Sequence, residues 1–396
     1  MKEGEHHNCF RKDYYFFHVL FVAILAFVLG LIMVIISEQN DLIKDVLNIS
    51  GSETEDSSYL KYYYKKVNQQ DFCLDPLKNK TYTRVNSKKI VLVDECEINN
   101  LPRTIERINN CNPAVIAIDI LMSGNYSDSL RSAIISACQV VGDKLVLVCY
   151  GHGTTTSSFV KDSLSSFNEG SAAIPADFWT YSYYDVMAKD DDDNCYPFFP
   201  WSILSAYSPT KNISEIVDKN FLVNYRNVCF YTVDAESILE EEWDRLKGEL
   251  DGKIVIIGDK LRDTHQIPFI IEGENEVSGS LLHAYAVESV LTDTYYKKLD
   301  TIPNLLLSLI IILLYSALYI FYVEYIEGRL TPNQLKWLPV LFRPAILILF
   351  ELLFFGLSVK MVEITGFVPH IAYVAVSIIF IDFMDRFYNS ISARYE

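Results

Sequence analysis

The sequence is short of positive charge: 34 Lys and Arg stand against 51 Asp and Glu, a formal net charge of −17. A nucleic-acid binder needs a basic face for the phosphates, so that class is excluded. Cysteine is sparse, eight in 396 residues, and no CxxC pair or Cys/His zinc spacing occurs among them. A metal cluster is therefore not expected, and no cofactor is implied. A GxSxG elbow is missing too. His152 sits in Tyr150-Gly-His-Gly153 after an apolar run, but no matching serine accompanies it. With no catalytic constellation in sight, the chain is not read as an enzyme. Asp190–Asp193 lacks the spacing of a helix–loop–helix calcium site and reads as a solvated acidic loop.

Apolar residues, by contrast, are plentiful and unevenly spread. Tyr14–Ile36 is one unbroken run, and roughly 20 such residues span the hydrocarbon core. A cleaved signal peptide would carry an apolar region of about 7–15 residues ending at small side chains; this run is longer and ends at Ser37-Glu38. It reads as an uncleaved anchor. Three further candidate spans follow at 302–323, 338–360 and 364–384. Lys and Arg beside the spans set orientation. Lys2, Arg11 and Lys12 precede the first span, Arg329, Lys336 and Arg343 fall around the 324–337 loop, and Arg386 and Arg394 follow the last. All are cytoplasmic if both termini (1–13 and 385–396) are inside and 37–301 is exported; Lys360 alone dissents. The expectation is a multi-pass inner-membrane protein with four spans and a periplasmic or extracellular central domain.

In that topology Cys73, Cys96, Cys111, Cys138, Cys149, Cys195 and Cys229 face an oxidising compartment where pairing is open to them. Cys138 and Cys149 sit in apolar surroundings that suit buried free thiols. Asn48, Asn79, Asn125 and Asn212 begin glycan sequons, which matter only in a eukaryotic secretory route.

Within the central domain, short β-branched runs alternate with helical spacing. Lys89–Asp94, Ala114–Asp119, Lys144–Cys149, Phe221–Arg226 and Ile254–Ile257 read as strands. Helices are expected after Pro102, over Asp128–Cys138, over Glu236–Glu249 and from Gly279, and the tyrosine-rich patch Tyr59–Tyr64 reads as another. Such alternation means parallel strands with crossover helices, so the expected fold is α/β, Rossmann-like, with a mostly parallel sheet. Ligands collect at the carboxyl ends of such strands. Those ends carry Asp94, Asp119 and Asp259, with Asp263 and His283 close in sequence to the last. Together they are candidates for a site taking a cation or a polar ligand. The bland alternative is that strand-end Asp residues cap the following helices and pair with Arg103 or Arg131.

The order of these features resembles the second type of CHASE domain, an extracellular sensory module of bacterial histidine kinases and nucleotide cyclases. The residues that carry it are Asp94 with Pro102-Arg103, Asp119 with Asp128-Ser-Leu130, Asn224-Tyr-Arg226, Gly252–Gly258 with Asp263, and Gly279 before His283-Ala284. The likeness covers roughly 88–292, and one span before the domain with three after it also fits the family. It implies a signal-transduction sensor. Family members usually continue into an output domain, whereas this sequence stops at Glu396, which implies an output protein supplied in trans. A structural or assembly subunit of an envelope complex is the rival reading. In either case a homo-oligomer or a hetero-complex is expected. Glu351 sits mid-way along the third span, where a carboxylate costs several kcal/mol unless paired. It marks a contact between helices or between subunits.

Overall fold

We obtained a computed structural model that describes residues 3–39, 85–122, 124–150, 159–160, 163–164, 166–172, 176–177, 180–181, 187–189, 195–209, 221–225, 228–260, 262–271, 274–330, 338–369 and 372–392. Tyr59–Tyr64, His152, Asp190–Asp193, Arg226, the sequons at Asn48, Asn79 and Asn212, and the side chain of Cys149 lie outside the described residues. The chain divides into two compact units, 61–297 and the pairing of 1–60 with 298–396.

The first unit is built on a six-stranded sheet. Its strands are β1 (Val85–Asp94), β2 (Val115–Ile118), β3 (Leu145–Tyr150), β4 (Asn168–Ser171), β5 (Val228–Asp234) and β6 (Ile254–Ile257). They lie in the order β5-β1-β6-β2-β3-β4, and every neighbouring pair is parallel. The last strand in sequence is therefore inserted between the first two, with Ile90 beside Ile254 and Ile257 beside Ile118. Ile254, Val255, Ile256 and Ile257 are fully buried, as expected for a central strand covered on both faces.

Alternation along each strand divides the sheet into two faces. Val91, Val93, Ile116, Ile118, Leu145, Leu147, Val255 and Ile257 pack into one core. That core is closed by α2 (Leu101–Asn110), α3 (Asp128–Val141), α5 (Ala235–Glu240) and α6 (Trp243–Leu250). In α2, Leu101, Ile105 and Ile108 recur at helical spacing and are buried. α3 starts at Ser127, whose side chain accepts the Leu130 N–H at 3.3 Å. The opposite face is covered by α4 (Phe199–Tyr207) and α7 (Gly279–Leu291). α7 is buried almost all round, from Gly279 to Val290 with Leu281 partly open, which marks it as an interior helix.

Two expectations change here. Among the described residues 221–225, the strand is Phe221–Leu222, and it pairs antiparallel with Tyr296–Lys297 rather than joining the main sheet. The edge strand is β5 instead. The helix expected over Glu236–Glu249 breaks at Glu241-Glu242 into α5 and α6. Cys138 is a buried free thiol as expected, and Cys96 and Cys111 are buried free thiols too.

The second unit holds α1 (Glu3–Gln39), α8 (Thr301–Phe321), α9 (Leu338–Thr365) and α10 (Ala372–Ser392). Among the described residues three helices are long and apolar enough to cross a membrane, at Tyr14–Val34, Thr301–Ile326 and Leu341–Val362. The run expected at 364–384 differs: a short extended stretch at Phe367–Val368 precedes α10, and α10 carries Asp382, Asp385 and Arg386. α1 packs along α10, and both touch α8. At Gly30 a Cβ would collide with the Ser377 hydroxyl, so glycine lets these two helices approach closely.

Candidate ligand site at the strand ends

Period-two alternation continues past the ends of β1 and β2. Ile90 and Leu92 face α7, so Asp94 does too; Val115 and Ala117 do likewise, so Asp119 follows. β6 lies between these strands and ends at Gly258-Asp259, so three carboxylates stand at adjacent strand ends. None of them caps the next helix. α2 begins at Asn100 without a side-chain cap, and α3 is capped by Ser127. Arg131 stacks over Phe159 at 5.4 Å instead of pairing with a strand-end acid.

The acids meet the start of α7. Ser278 caps that helix by accepting the Leu281 N–H at 3.3 Å, and its hydroxyl lies 3.0 Å from that of Ser280. Ser280 Oγ donates to Asp94 Oδ1 at 3.1 Å. This approach requires glycine at 258, where a Cβ would sit 2.6 Å from Ser280 Oγ. Glycine is needed at 279 for a similar reason: a Cβ there would strike the Asp263 carboxyl group. The Gly279 N–H donates to the Asp263 carbonyl at 3.2 Å, and His265 Nε2 lies 3.0 Å from Asp263 Oδ1. One turn into α7, His283 presents Nε2 at 3.8 Å from Asp119 Oδ1, too long for a hydrogen bond. The Phe199 ring packs edge-on against His283, centroids 5.2 Å apart.

Electrostatics separates the members. Burial pushes the Asp119 carboxyl well above the usual carboxylate range, and the neighbouring Asp263 and Asp94 charges push it further. Burial also raises Asp94, partly offset by the Ser280 hydroxyl and the Lys260 charge. At Asp263 burial works the same way, but it is outweighed, chiefly by the hydrogen bond and charge of His265. Its carboxyl lies below the ordinary range. Burial drives His283 down to about 3, against the pull of Asp263, so the 3.8 Å pair is a neutral imidazole beside a carboxyl that resists ionisation. Asp119 Oδ2 is buried and has no hydrogen-bond partner among the described residues. Asp259 sits at the rim, 3.5 Å from the exposed Arg262 guanidinium.

The structure therefore gathers Asp94, Asp119, Asp263 and His283 around the start of α7 and leaves Asp259 beside them. A comparison of the sequence with known families decides the next step: the CHASE2 domain pattern matches residues 89–320, more than half of the chain. The chain belongs to the CHASE2 family. The CHASE2 match begins at β1 and runs on through α7 into α8, to Ile320. CHASE2 is a family of extracellular sensory domains. Neither a curated protein nor a solved structure matches the chain.

Sequence reasoning places His265 beside Asp263 just past the central strand, but misses Ser280 as a member of the cluster. Ser278-Gly-Ser280 just before an apolar helix was the available signal for the cap, but the bond to Asp94 depends on the tertiary approach at Gly258. Glu351 is half-buried on α9 and has no hydrogen-bond partner among the described residues; Tyr315 is within electrostatic reach. Two hydroxyls that offered it a bond, Ser308 and Ser377, donate to carbonyls one turn back, Asn304 and Tyr373.

Proposed function

We propose that this protein is a membrane-anchored extracytoplasmic sensor. It takes a ligand where Asp94, Asp119, Asp259, Asp263 and His283 meet, and passes occupancy through α7 to the membrane helices and on to an output module. The observation that supports it best is the placement of α7. This helix is buried along its length, starts against the strand-end acids, and leads through Leu291 to α8 at Thr301. A ligand that holds one position of α7 better than another shifts the population of states by its difference in affinity. We assign the protein no reaction.

We further propose four membrane passes, with α10 as the fourth, both termini cytoplasmic and the 37–301 region exported. The packing of α1 on α10 supports this, since contacts run from Tyr14 with Tyr388 to Gly30 with Ser377, an antiparallel pairing along the length of a span. Charged contacts support it as well. His18 on α1 reaches Glu324 and Asp385, and Arg343 on α9 reaches Glu327 and Asp382. These contacts bring the start of α1, the end of α8, the start of α9 and the later part of α10 to one level. Reporter fusions after Asn40, Thr331 and Glu396 should read outside, inside and inside; an inside signal at Asn40 reverses the scheme.

Transmission has its own test. Gly258→Ala must displace Ser280 and with it the start of α7. Hydrogen exchange on the full chain in nanodiscs should then change in both 279–291 and 301–321. A change confined to 279–291 would show that α7 does not speak to the membrane helices.

A further inference from the structure

The cluster around α7 is rich in acceptors, and its donors are already engaged. The Ser280 hydroxyl is given to Asp94, the Gly279 N–H to the Asp263 carbonyl, and His265 Nε2 lies against the Asp263 carboxylate. Asp119 is the exception. Its side chain is 4% exposed, Oδ2 has no partner among the described residues, and no Lys or Arg pairs with it there. A buried carboxyl oxygen is normally hydrogen-bonded. Once ionised, Asp119 takes hydrogen-bond donors only, whereas an anion accepting from its protonated form would meet Asp94, Asp259 and Asp263 at close range. A bound metal fits poorly, because calcium takes about 6–8 oxygen ligands and among the described residues no three His, Cys, Asp or Glu side chains are placed to hold an ion. An ammonium group asks less of its surroundings: three N–H donors, each needing one acceptor. The Phe199 ring beside His283 adds an aromatic surface of the kind that favours organic cations.

We propose that this site binds a small organic cation, with its primary ammonium group held by Asp119 and the neighbouring carboxylates Asp94 and Asp263. The inference rests on the sensor reading of the same site and adds the chemical class of the ligand. As the ammonium enters, Asp119 gives up its proton to solvent, and a +1 group replaces the neutralising proton. The groups that face Asp119 during this exchange are Asp94 from β1, Asp263 from the segment after β6, and His283 from α7.

The test is calorimetry on the full chain in nanodiscs at moderate salt, which screens non-specific attraction to the negative surface. The probes are putrescine, the neutral 1,4-butanediol, and calcium chloride. The expected result is saturable putrescine binding whose heat varies with the ionisation heat of the buffer, showing proton release. Asp119→Asn should weaken it at least tenfold without lowering the melting temperature. Asp94→Asn should weaken it less, and Glu236→Gln, on the exposed surface of α5, should not change it. Putrescine binding unaffected by Asp119→Asn, or no binding at all, overturns the proposal. Asp119-dependent binding of butanediol or calcium without putrescine also overturns the ligand class, yet leaves a ligand site in place. Failure of the sensor reading shows elsewhere, in an exchange pattern for Gly258→Ala that stops at α7.

Discussion

The two units of this chain bury charge in opposite ways. In the sheet unit, Asp119 lies beneath α7 with no cation against it, and its histidine neighbour is held neutral by burial. In the membrane unit the buried histidine, His18, has a carboxylate on each side. Its Nδ1 is 3.3 Å from Glu324 Oε1 and Nε2 is 2.9 Å from Asp385 Oδ1, the latter within ion-pair reach though not angled as a hydrogen bond, while its ring stacks on Tyr388 at 4.1 Å. Arg343 is shared in the same manner: it makes two bonds to Glu327, of 2.9 and 2.7 Å, and one to Asp382 of 2.7 Å. A charge in hydrocarbon has no water to fall back on, so pairing is the condition for keeping it. A strand-end acid that burial keeps neutral needs no such partner. On the sensor reading proposed above, the difference separates groups that hold a structure from groups that wait for a ligand.

The largest effect should come from placing an unpaired charge where neither strategy exists. Ile256 is fully buried at the centre of β6, between β1 and β2. Ile256→Asp puts a carboxylate there with no partner, at a cost of several kcal/mol. Loss of cooperative unfolding and of the folded circular dichroism signal is expected. A variant that melts like the parent would mean that β6 is not the central strand.

Next in size is the membrane pair. His18→Leu leaves Glu324 and Asp385 without the group between them, and a buried polar group that loses its partner costs about 1–3 kcal/mol. Detergent-solubilised protein should lose thermal stability by several degrees at least. If His18→Leu is as harmless as Asp119→Asn, the contrast between the two units is broken.

Much of this was legible in the sequence. The runs at Ile90, Val115, Leu145 and Ile254 announce strands because their β-branched residues suit a sheet covered on both sides. Parity along β1 and β2 was enough to bring Asp94 and Asp119 to one face. The failures have physical causes. β4 is Asn-Glu-Gly-Ser, with no β-forming residue to betray it. β5 is an edge strand, half-exposed, and the apolar Phe221–Tyr225 beside it drew the assignment. The break between α5 and α6 falls in Glu240-Glu-Glu242, whose helix propensity hides it. Ser280 joins the site only because Gly258 allows helix and strand end to approach, and no local pattern encodes that. Arg343 was legible as a topology marker but not as a partner of Glu327 and Asp382.

Between the two extremes lies the pH response of the sheet unit, where the two site residues pull in opposite senses. His283 titrates near 6.5 when unfolded and near 3 when folded, so below about 6.5 the unfolded chain takes a proton that the folded chain refuses. Stability is lost as pH falls, by about 1.4 kcal/mol per unit. Asp119 is raised in the folded state, so its contribution is full at low pH and is lost as pH rises through its folded value. His283→Gln should therefore remove about 2 kcal/mol of the loss between pH 6.5 and 5, measured as the shift in urea midpoint. Asp119→Asn should remove the loss of stability that sets in as pH rises above the ordinary carboxyl value of 3.8 and ends at its raised folded value. It therefore acts against His283 within the same acid window. Identical pH profiles for parent and both variants would mean that neither group is buried as described.

The smallest effect is expected at Glu351, an acid in the membrane unit that departs from the pairing rule. It is half-buried, and among the described residues it has Tyr315 within electrostatic reach but no hydrogen bond. Phe350 packs on Tyr315 with centroids 4.8 Å apart, and Leu349, Leu352 and Leu353 beside it are exposed, so this stretch of α9 presents an apolar surface with one acid on its margin. An acid kept at that depth is costly unless it meets a donor, and the donor we expect is supplied by a second copy of the chain. Glu351→Leu should then leave unfolding of the sheet unit unchanged while moving detergent-solubilised protein towards smaller species in light scattering. Glu351→Gln, which still bonds through its amide, should keep the parent's size. An unchanged distribution for Glu351→Leu would place Glu351 within one chain, and would return it to the paired class to which His18 and Arg343 belong.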